Sequence, residues 1–224
     1  MYGIVLFLVA AGACGDDSGT PPAQDAAPAS DASSGGDAAN FPSLRVDWDA
    51  QPQLGTLSTT LSVSKAKFHV DRLQVISDVE DPTQTTARNL TLLWTNVGDM
   101  PDSVRFDDAP SALYSKIKLS LDKDQTGTTP TITMDGQVDA GMGMRTFHIE
   151  SYRPTSIEVS GYTTSLTPGG NAQMGITLDV KHALDNVDWS SLDHPSNTYS
   201  LDDTQMAAMD AFLLDLGAAF VRTP

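Results

Sequence analysis

The chain has 224 residues, a formal net charge of −16, four His and a single Cys. Its length suits one domain, or one domain plus a tail. The acidity excludes a surface that tracks nucleic acid or anionic headgroups, which needs clustered Lys and Arg. One Cys excludes an intrachain disulfide and any multi-Cys zinc site. Of the 29 acids, 26 are Asp and three are Glu (Glu80, Glu150 and Glu158). Asp belongs in turns and caps, because its short carboxylate competes for nearby backbone N–H groups. That balance predicts a turn-rich β protein.

Residues 4–13 form an apolar run of ten, too short to cross a bilayer of about 30 Å as a helix. The run fits the hydrophobic segment of a signal peptide ending in small residues before Cys14. Residues 15–43 then hold five Asp, no Lys or Arg, and many Ala, Ser, Pro and Gly. With so little apolar bulk to offset the entropy of ordering, this stretch reads as a flexible tether. Its root-mean-square span is about 30 Å. Ala11-Gly12-Ala13-Cys14 resembles the lipobox of bacterial lipoprotein precursors, whose Cys becomes the lipidated N-terminus. Ala11 stands where Leu or Val is usual. The same residues also fit an A-x-A site for ordinary signal peptidase, cut at the same bond; the lone Cys at that place favours lipidation. Cys anchor, acidic tether and globular body together resemble the secreted lipoproteins of myxobacteria and their relatives. The resemblance implies anchoring to the outer membrane by acyl chains, at about 0.8 kcal/mol per buried methylene. The expected organisation is a signal peptide at 1–13, a lipidated Cys14 and tether at 14–43, and a β domain at 44–224.

From residue 44 the apolar period is two. Leu44, Val46 and Trp48 alternate with Arg45 and Asp47, and Leu57, Leu61 and Val63 share one parity. Ala66, Phe68 and Val70 form a face, then the parity flips to Leu73 and Val75 across Asp71-Arg72. That flip predicts a β-bulge or a corner where the strand changes sheet. Leu90, Leu92 and Trp94 make another face, and Val104 with Phe106 a short one. At 113–121, Leu113, Ser115, Ile117, Leu119 and Leu121 face one way, and Tyr114, Lys116, Lys118 and Ser120 the other. Further strands are expected at 131–134, 145–150, 156–164 and 173–181. Pro168-Gly169-Gly170-Asn171 reads as a hairpin loop between the last two.

Met206, Met209, Phe212, Leu213, Leu216 and Phe220 then fall at helical spacing, a stripe for packing against a sheet. Asp202 with Gln205 offers a capping-box-like start, and Gly217 is a candidate break. Eight to ten strands with turn signals between them favour an antiparallel β-sandwich with one C-terminal α-helix over a βαβ fold. The body also resembles bacterial lipoproteins with a transthyretin-like β-sandwich. The resemblance lies in KFHVDRLQVI at 67–76, the Trp-bearing strand at 90–94, and ALYSKIKLSL at 112–121 after Asp107-Asp108-Ala109-Pro110. It implies a mainly β, transthyretin- or immunoglobulin-like sandwich. Some proteins of that kind are periplasmic and copper-associated, but the Gly-Met-x-Trp segment that marks them is absent from this chain.

Two clusters have metal-ligating chemistry. Met142, Met144 and His148, with Met134 and Asp139 nearby, supply soft donors suited to copper, and on a strand the three share one parity. The bland alternative is a Gly-rich hairpin loop in which the methionines fill gaps. Asp122-x-Asp124-x-Thr126-Gly127 matches the opening of a calcium-binding EF-hand loop, but Thr133 stands where the bidentate Glu belongs. Asp78, Glu80 and Asp81, and Asp99, Asp102, Asp107 and Asp108, are further loop carboxylates. Nucleophile-elbow, zincin and P-loop motifs are missing, which points away from catalysis. Glu150 and Glu158 are a nominal carboxylate pair, and Asp185, Asp188 and His194 surround Trp189 in one polar loop. Trp48 and Trp94 sit on apolar parities and belong in the core. Trp189 is the candidate exposed platform for a sugar, with burial against the C-terminal helix as its alternative.

The expectation is a non-catalytic, membrane-anchored envelope lipoprotein without a resident cofactor, binding a glycan, an envelope protein or a small ligand. The alternative is a periplasmic metal-handling protein for copper or calcium.

Overall fold

Alternating apolar residues build two β-sheets that pack as a sandwich around one core. The computed structural model describes residues 42–52, 54–78, 83–95, 102–123 and 126–223. The signal-peptide reading, Cys14 and the tether up to residue 41 lie outside the described residues, as do Glu80, Asp81, Asp99 and Asp124. The strands in chain order are β1 (Ser43–Gln51), β2 (Gly55–Thr56), β3 (Leu61–Ser77), β4 (Thr86–Thr95), β5 (Asp102–Phe106) and β6 (Ala112–Leu121). They continue with β7 (Ile132–Asp139), β8 (Met144–Ser151), β9 (Thr155–Leu166) and β10 (Asn171–Asp179). A short helix α1 (Val180–Leu184), β11 (Thr198–Leu201), the helix α2 (Met206–Ala219) and β12 (Phe220–Arg222) complete the order. The chain is thus mainly β, with its principal helix near the C-terminus, as the period-two pattern and the final helical stripe predict.

The smaller sheet has the order β12-β10-β1-β5. Its central pair, β1 and β10, runs parallel, Ser43 opposite Asn171 through Gln51 opposite Asp179. The larger sheet has the order β11-β8-β7-β3-β6-β9, with β2 and β4 also on β3. The strand β3 organises it. One edge pairs with β7 from Leu61 to Phe68 and then with β6 from Val70 to Ser77, while β4 pairs along the other from Lys65 to Gln74. The handover falls at His69, whose N–H donates to Thr131 O (2.9 Å) and whose carbonyl accepts from Asp122 N (3.3 Å). The buried imidazole Nδ1 of His69 donates to Asp122 O at 2.6 Å. The strands β8 and β9 repeat the end-to-end arrangement one place further out, Ser151 lying opposite Ile132 and Thr155 opposite Leu121.

Register shifts at Val63/Lys65 and Val70/Arg72 move the buried parity of β3 from Leu61 and Val63 to Ala66, Phe68 and Val70, and then to Leu73 and Val75. The second shift is the bulge expected at Asp71-Arg72. A third, between Tyr114 and Lys116, corrects the uninterrupted alternation expected of β6. There the extra residue turns Leu113 out to solvent and Tyr114 into the core, where its hydroxyl donates to Pro110 O at 2.6 Å.

The loop at 167–170 is a tight turn, with Gly170 N donating to Thr167 O at 2.9 Å. It is not the expected hairpin: β9 belongs to the larger sheet and β10 to the smaller, so the turn arches between sheets. The same turn residues serve both geometries. The β7–β8 connection is a true hairpin, and Asp139 Oδ1 accepts from Gly141 N (2.8 Å) and Gly143 N (3.0 Å). Gly141 and Gly143 take φ of +91° and +83°, which other residues rarely adopt.

Edge-to-face contacts of Phe68 with Trp94 (centroids 5.7 Å) and Phe220 (5.4 Å) mark the middle of the core. In β7, Gly136 lies under the Phe147 ring. A Cβ there would sit 2.2 Å from Ser62 O and 2.6 Å from the ring, so only glycine fits. The helix α2 buries Met209, Phe212, Leu216 and Ala219. Met206, expected in that stripe, is exposed because it starts the first turn. Asp202 N donates to the Gln205 side chain at 2.9 Å. The helix α2 nevertheless starts three residues later than the expected capping box requires, with Gln205 itself as an N-cap that makes no side-chain cap bond, and Gly217 stays helical. No helix among the described residues is long and apolar enough to cross a membrane.

Candidate ligand-binding groove

A cavity of about 720 Å³ opens on the outer face of the smaller sheet. Its floor follows from the alternation of β1. Leu44, Val46, Trp48 and Ala50 point inward and are buried, which puts Arg45, Asp47 and Asp49 outward in a row. Parallel pairing sets Gln173 of β10 beside Arg45, and Gly175 beside Asp47. Gly175 is where the chain after β12 crosses the floor. Thr223 N donates to its carbonyl (3.0 Å), and an added Cβ would meet Thr223 Oγ1 at 2.6 Å.

Residues 162–164 of β9, an edge strand of the larger sheet, form the facing wall. Two bonds pin that wall to the smaller sheet. The Tyr162 hydroxyl donates to Gly175 O at 2.5 Å, and Arg222 Nη1 donates to Gly161 O at 2.7 Å. Burial pushes the Tyr162 phenol well above the usual tyrosine range, against the opposing pull of Arg222, so the hydroxyl remains a donor.

Along the floor, acceptors and donors alternate. Asp47 Oδ1 accepts from Arg45 Nε at 2.5 Å, and its Oδ2 accepts from Gln173 Nε2. Asp49 holds Ala50 N at 2.7 Å. Thr163, Thr164 and Thr223 add hydroxyls. A second pocket of about 300 Å³ shares Arg45 and Gln173 and adds Ser43, Arg105, Asn171 and Ala172. These volumes fall in the range of small-molecule sites. Trp48 and Tyr162 are buried, so the groove offers hydrogen-bonding edges and no exposed ring for stacking.

Of the residues singled out for metals, the described ones (Met142, Met144, His148 and Asp122) lie elsewhere and do not converge. Met142 is in the β7–β8 turn and Met144 at the start of β8; both are exposed, and Arg145 Nη2 approaches Met142 Sδ at 3.8 Å. His148 shares the parity of Met144 but is four residues on, about 13 Å along an extended strand. Its Nδ1 bonds to Asp135 Oδ1 at 2.6 Å, and its Nε2 lies 3.6 Å from Glu150. Asp122 Oδ1 accepts from Lys123 N at 2.8 Å and so caps its own turn. No group of three or more His, Cys, Asp or Glu among the described residues is placed to hold a metal ion.

Glu150 and Glu158 lie opposite Thr133 and Lys118. Those residues pair with Lys67 and Gln74, so the two carboxylates are about 23 Å apart along β3. In the polar loop after α1, Asp185 pairs with Lys181 (2.6 Å) and Asp188 accepts from Ser190 (2.6 Å). His194 packs edge-on against Tyr199. Trp189 packs on Phe147 (4.8 Å) and Tyr199 (6.2 Å), which pair across β8 and β11. The groove residues Arg45, Asp47, Asp49 and Gln173 carried no motif. Their only signal was the outward parity of β1.

No protein-family model matches the chain, and comparisons with curated proteins and with solved structures find no match. The functional reading therefore rests on the groove and on the N-terminal sequence.

Proposed function

We propose that this protein is a non-catalytic, extracytoplasmic lipoprotein, anchored in the envelope through Cys14, that binds a hydroxyl-rich ligand such as an oligosaccharide. The groove over β1 and β10 carries the reading. Each sugar hydroxyl both donates and accepts, and this surface alternates carboxylates (Asp47, Asp49) with donors (Arg45, Gln173) and three Thr hydroxyls. Paired carboxylates on the floor disfavour a phosphate-rich ligand, and buried rings disfavour a greasy one. Support for the anchor comes from the apolar run at 4–13, the lone Cys14 and the acidic stretch after it.

The test is a glycan array probed with the full chain and its Asp47→Ala and Gln173→Ala variants. Retention of at least one oligosaccharide class is expected, with affinity falling about tenfold in Asp47→Ala, the loss of charge-assisted bonds worth about 1.5 kcal/mol. Absence of binding at millimolar concentration, or variants that bind like the wild type, would overturn the groove as the site. Mass spectrometry of the N-terminus tests the anchor separately, with acyl mass on Cys14 as the expected result.

A further inference from the structure

One end of the groove differs in charge from the rest. The pocket lined by Ser43, Arg45, Arg105, Asn171, Ala172 and Gln173 contains no acidic residue. Arg45 of β1 and Arg105 of β5 lie directly opposite one another across an antiparallel pair. Like charges so placed, with Cβ atoms about 5 Å apart, repel. This occurs in a chain with 13 basic and 29 acidic residues, where chance favours an acid as neighbour. Each guanidinium is only partly neutralised. Arg45 bonds to Asp47 through Nε, and Arg105 Nε lies 2.6 Å from Asp107 Oδ1. Both side chains remain largely exposed, at 52% and 62%, so their guanidinium groups face solvent and can be reached by a ligand. Two exposed planar forks, flanked by the amides of Asn171 and Gln173, suit an oxyanion held bidentately.

We propose that Arg45 and Arg105 form an anion subsite at this end of the groove, so that the ligand is an acidic oligosaccharide whose carboxylate or sulfate group sits between the two guanidinium groups. The subsite rests on the groove being a sugar site. The larger cavity takes the hydroxyls, while the smaller one takes the charge and offsets the Arg45–Arg105 repulsion when filled. Arg45, which lines both, joins the two.

Calorimetric titration of the full chain tests this, using neutral, uronate-bearing and sulfated oligosaccharides of equal length, and inorganic sulfate alone. The wild type is expected to bind one acidic series at least about tenfold more tightly than the neutral one. That advantage shrinks as salt rises. In Arg105→Gln, acidic and neutral ligands bind alike; in Arg105→Lys, which keeps the charge without the fork, an intermediate preference remains. The more favoured acidic series identifies carboxylate or sulfate as the group held. If neutral oligosaccharides bind but the wild type has no acidic preference, or if Arg105→Gln keeps it, the subsite falls while the groove stands. If sulfate alone binds in an Arg105-dependent way and no oligosaccharide does, the subsite stands and the sugar reading falls. Absence of binding to any of the four probes sinks both. Melting curves check each variant's fold, and Arg105→Lys carries the test should Arg105→Gln fail to fold.

Discussion

The outer faces of the two sheets carry the same residue types in different settings. On the larger sheet, Lys65, Asp135 and His148 line up across β3, β7 and β8, and Lys116 meets Glu158 across β6 and β9 at 2.8 Å. These side chains remain 35–47% exposed, so water screens each pair. On the smaller sheet the edge of β9 stands beside the row Arg45, Asp47 and Asp49, and the Asp47 side chain is only 22% exposed. Partial removal of water strengthens every polar contact there. Charge alone therefore does not distinguish the two faces. A wall contributed by the opposite sheet does.

Breaking each region in turn gives a graded set of outcomes. Gly136→Ala strikes backbone and an aromatic ring on the larger sheet, neither of which can give way. It should cost about 3 kcal/mol, read as a lower denaturant midpoint at unchanged slope. Gly175→Ala on the smaller sheet meets first the Thr223 side chain, with Oγ1 at 2.6 Å and Cβ at 2.7 Å. The cost should be about 1 kcal/mol, with a clear loss of ligand affinity as Thr223 is displaced over the floor.

Tyr162→Phe should also cost about 1 kcal/mol at neutral pH, because it removes the wall's bond to Gly175 O. Its pH signature is more specific. Burial raises the folded phenol above the unfolded value of about 10, so below that pH both states are protonated and the stabilisation is intact. As pH rises further the unfolded phenol ionises first, and stability falls. Wild type should lose midpoint between about pH 10 and 11 more steeply than Tyr162→Phe. The smallest effect belongs to the open face. A double-mutant cycle on Lys116 and Glu158 should give a coupling below about 0.5 kcal/mol, vanishing in high salt.

The fold was legible wherever one side chain period ran unbroken. Leu44, Val46 and Trp48 marked β1, and Met209, Phe212 and Leu216 marked α2, because burial on one face demands those spacings. The bulge at Asp71-Arg72 was legible because it reversed a strong pattern. The one in β6 was not, since Leu113 and Tyr114 are both acceptable inside. The arch at Pro168-Gly169-Gly170 was misread because a turn's residues specify its local backbone and not which strand its partner will pair with. The groove was hidden for a related reason. Its floor joins Ser43 to Asn171, 128 positions apart, and nothing local in either segment announces the other. The expected copper ligands failed on distance: parity along β8 places Met144 and His148 on one face but cannot shorten the strand between them.

The parallel seam between β1 and β10 also sets when the smaller sheet can close during synthesis. The β7–β8 pair, with Asp135 and His148 only 13 positions apart, can zip up as soon as it leaves the ribosome or a translocation pore. β1 is made early yet has no neighbour on that side until β10 arrives, and Thr223 settles over Gly175 later still. Chains that end before β10 therefore lack the paired floor, whereas those that reach Asp179 already hold both of its strands.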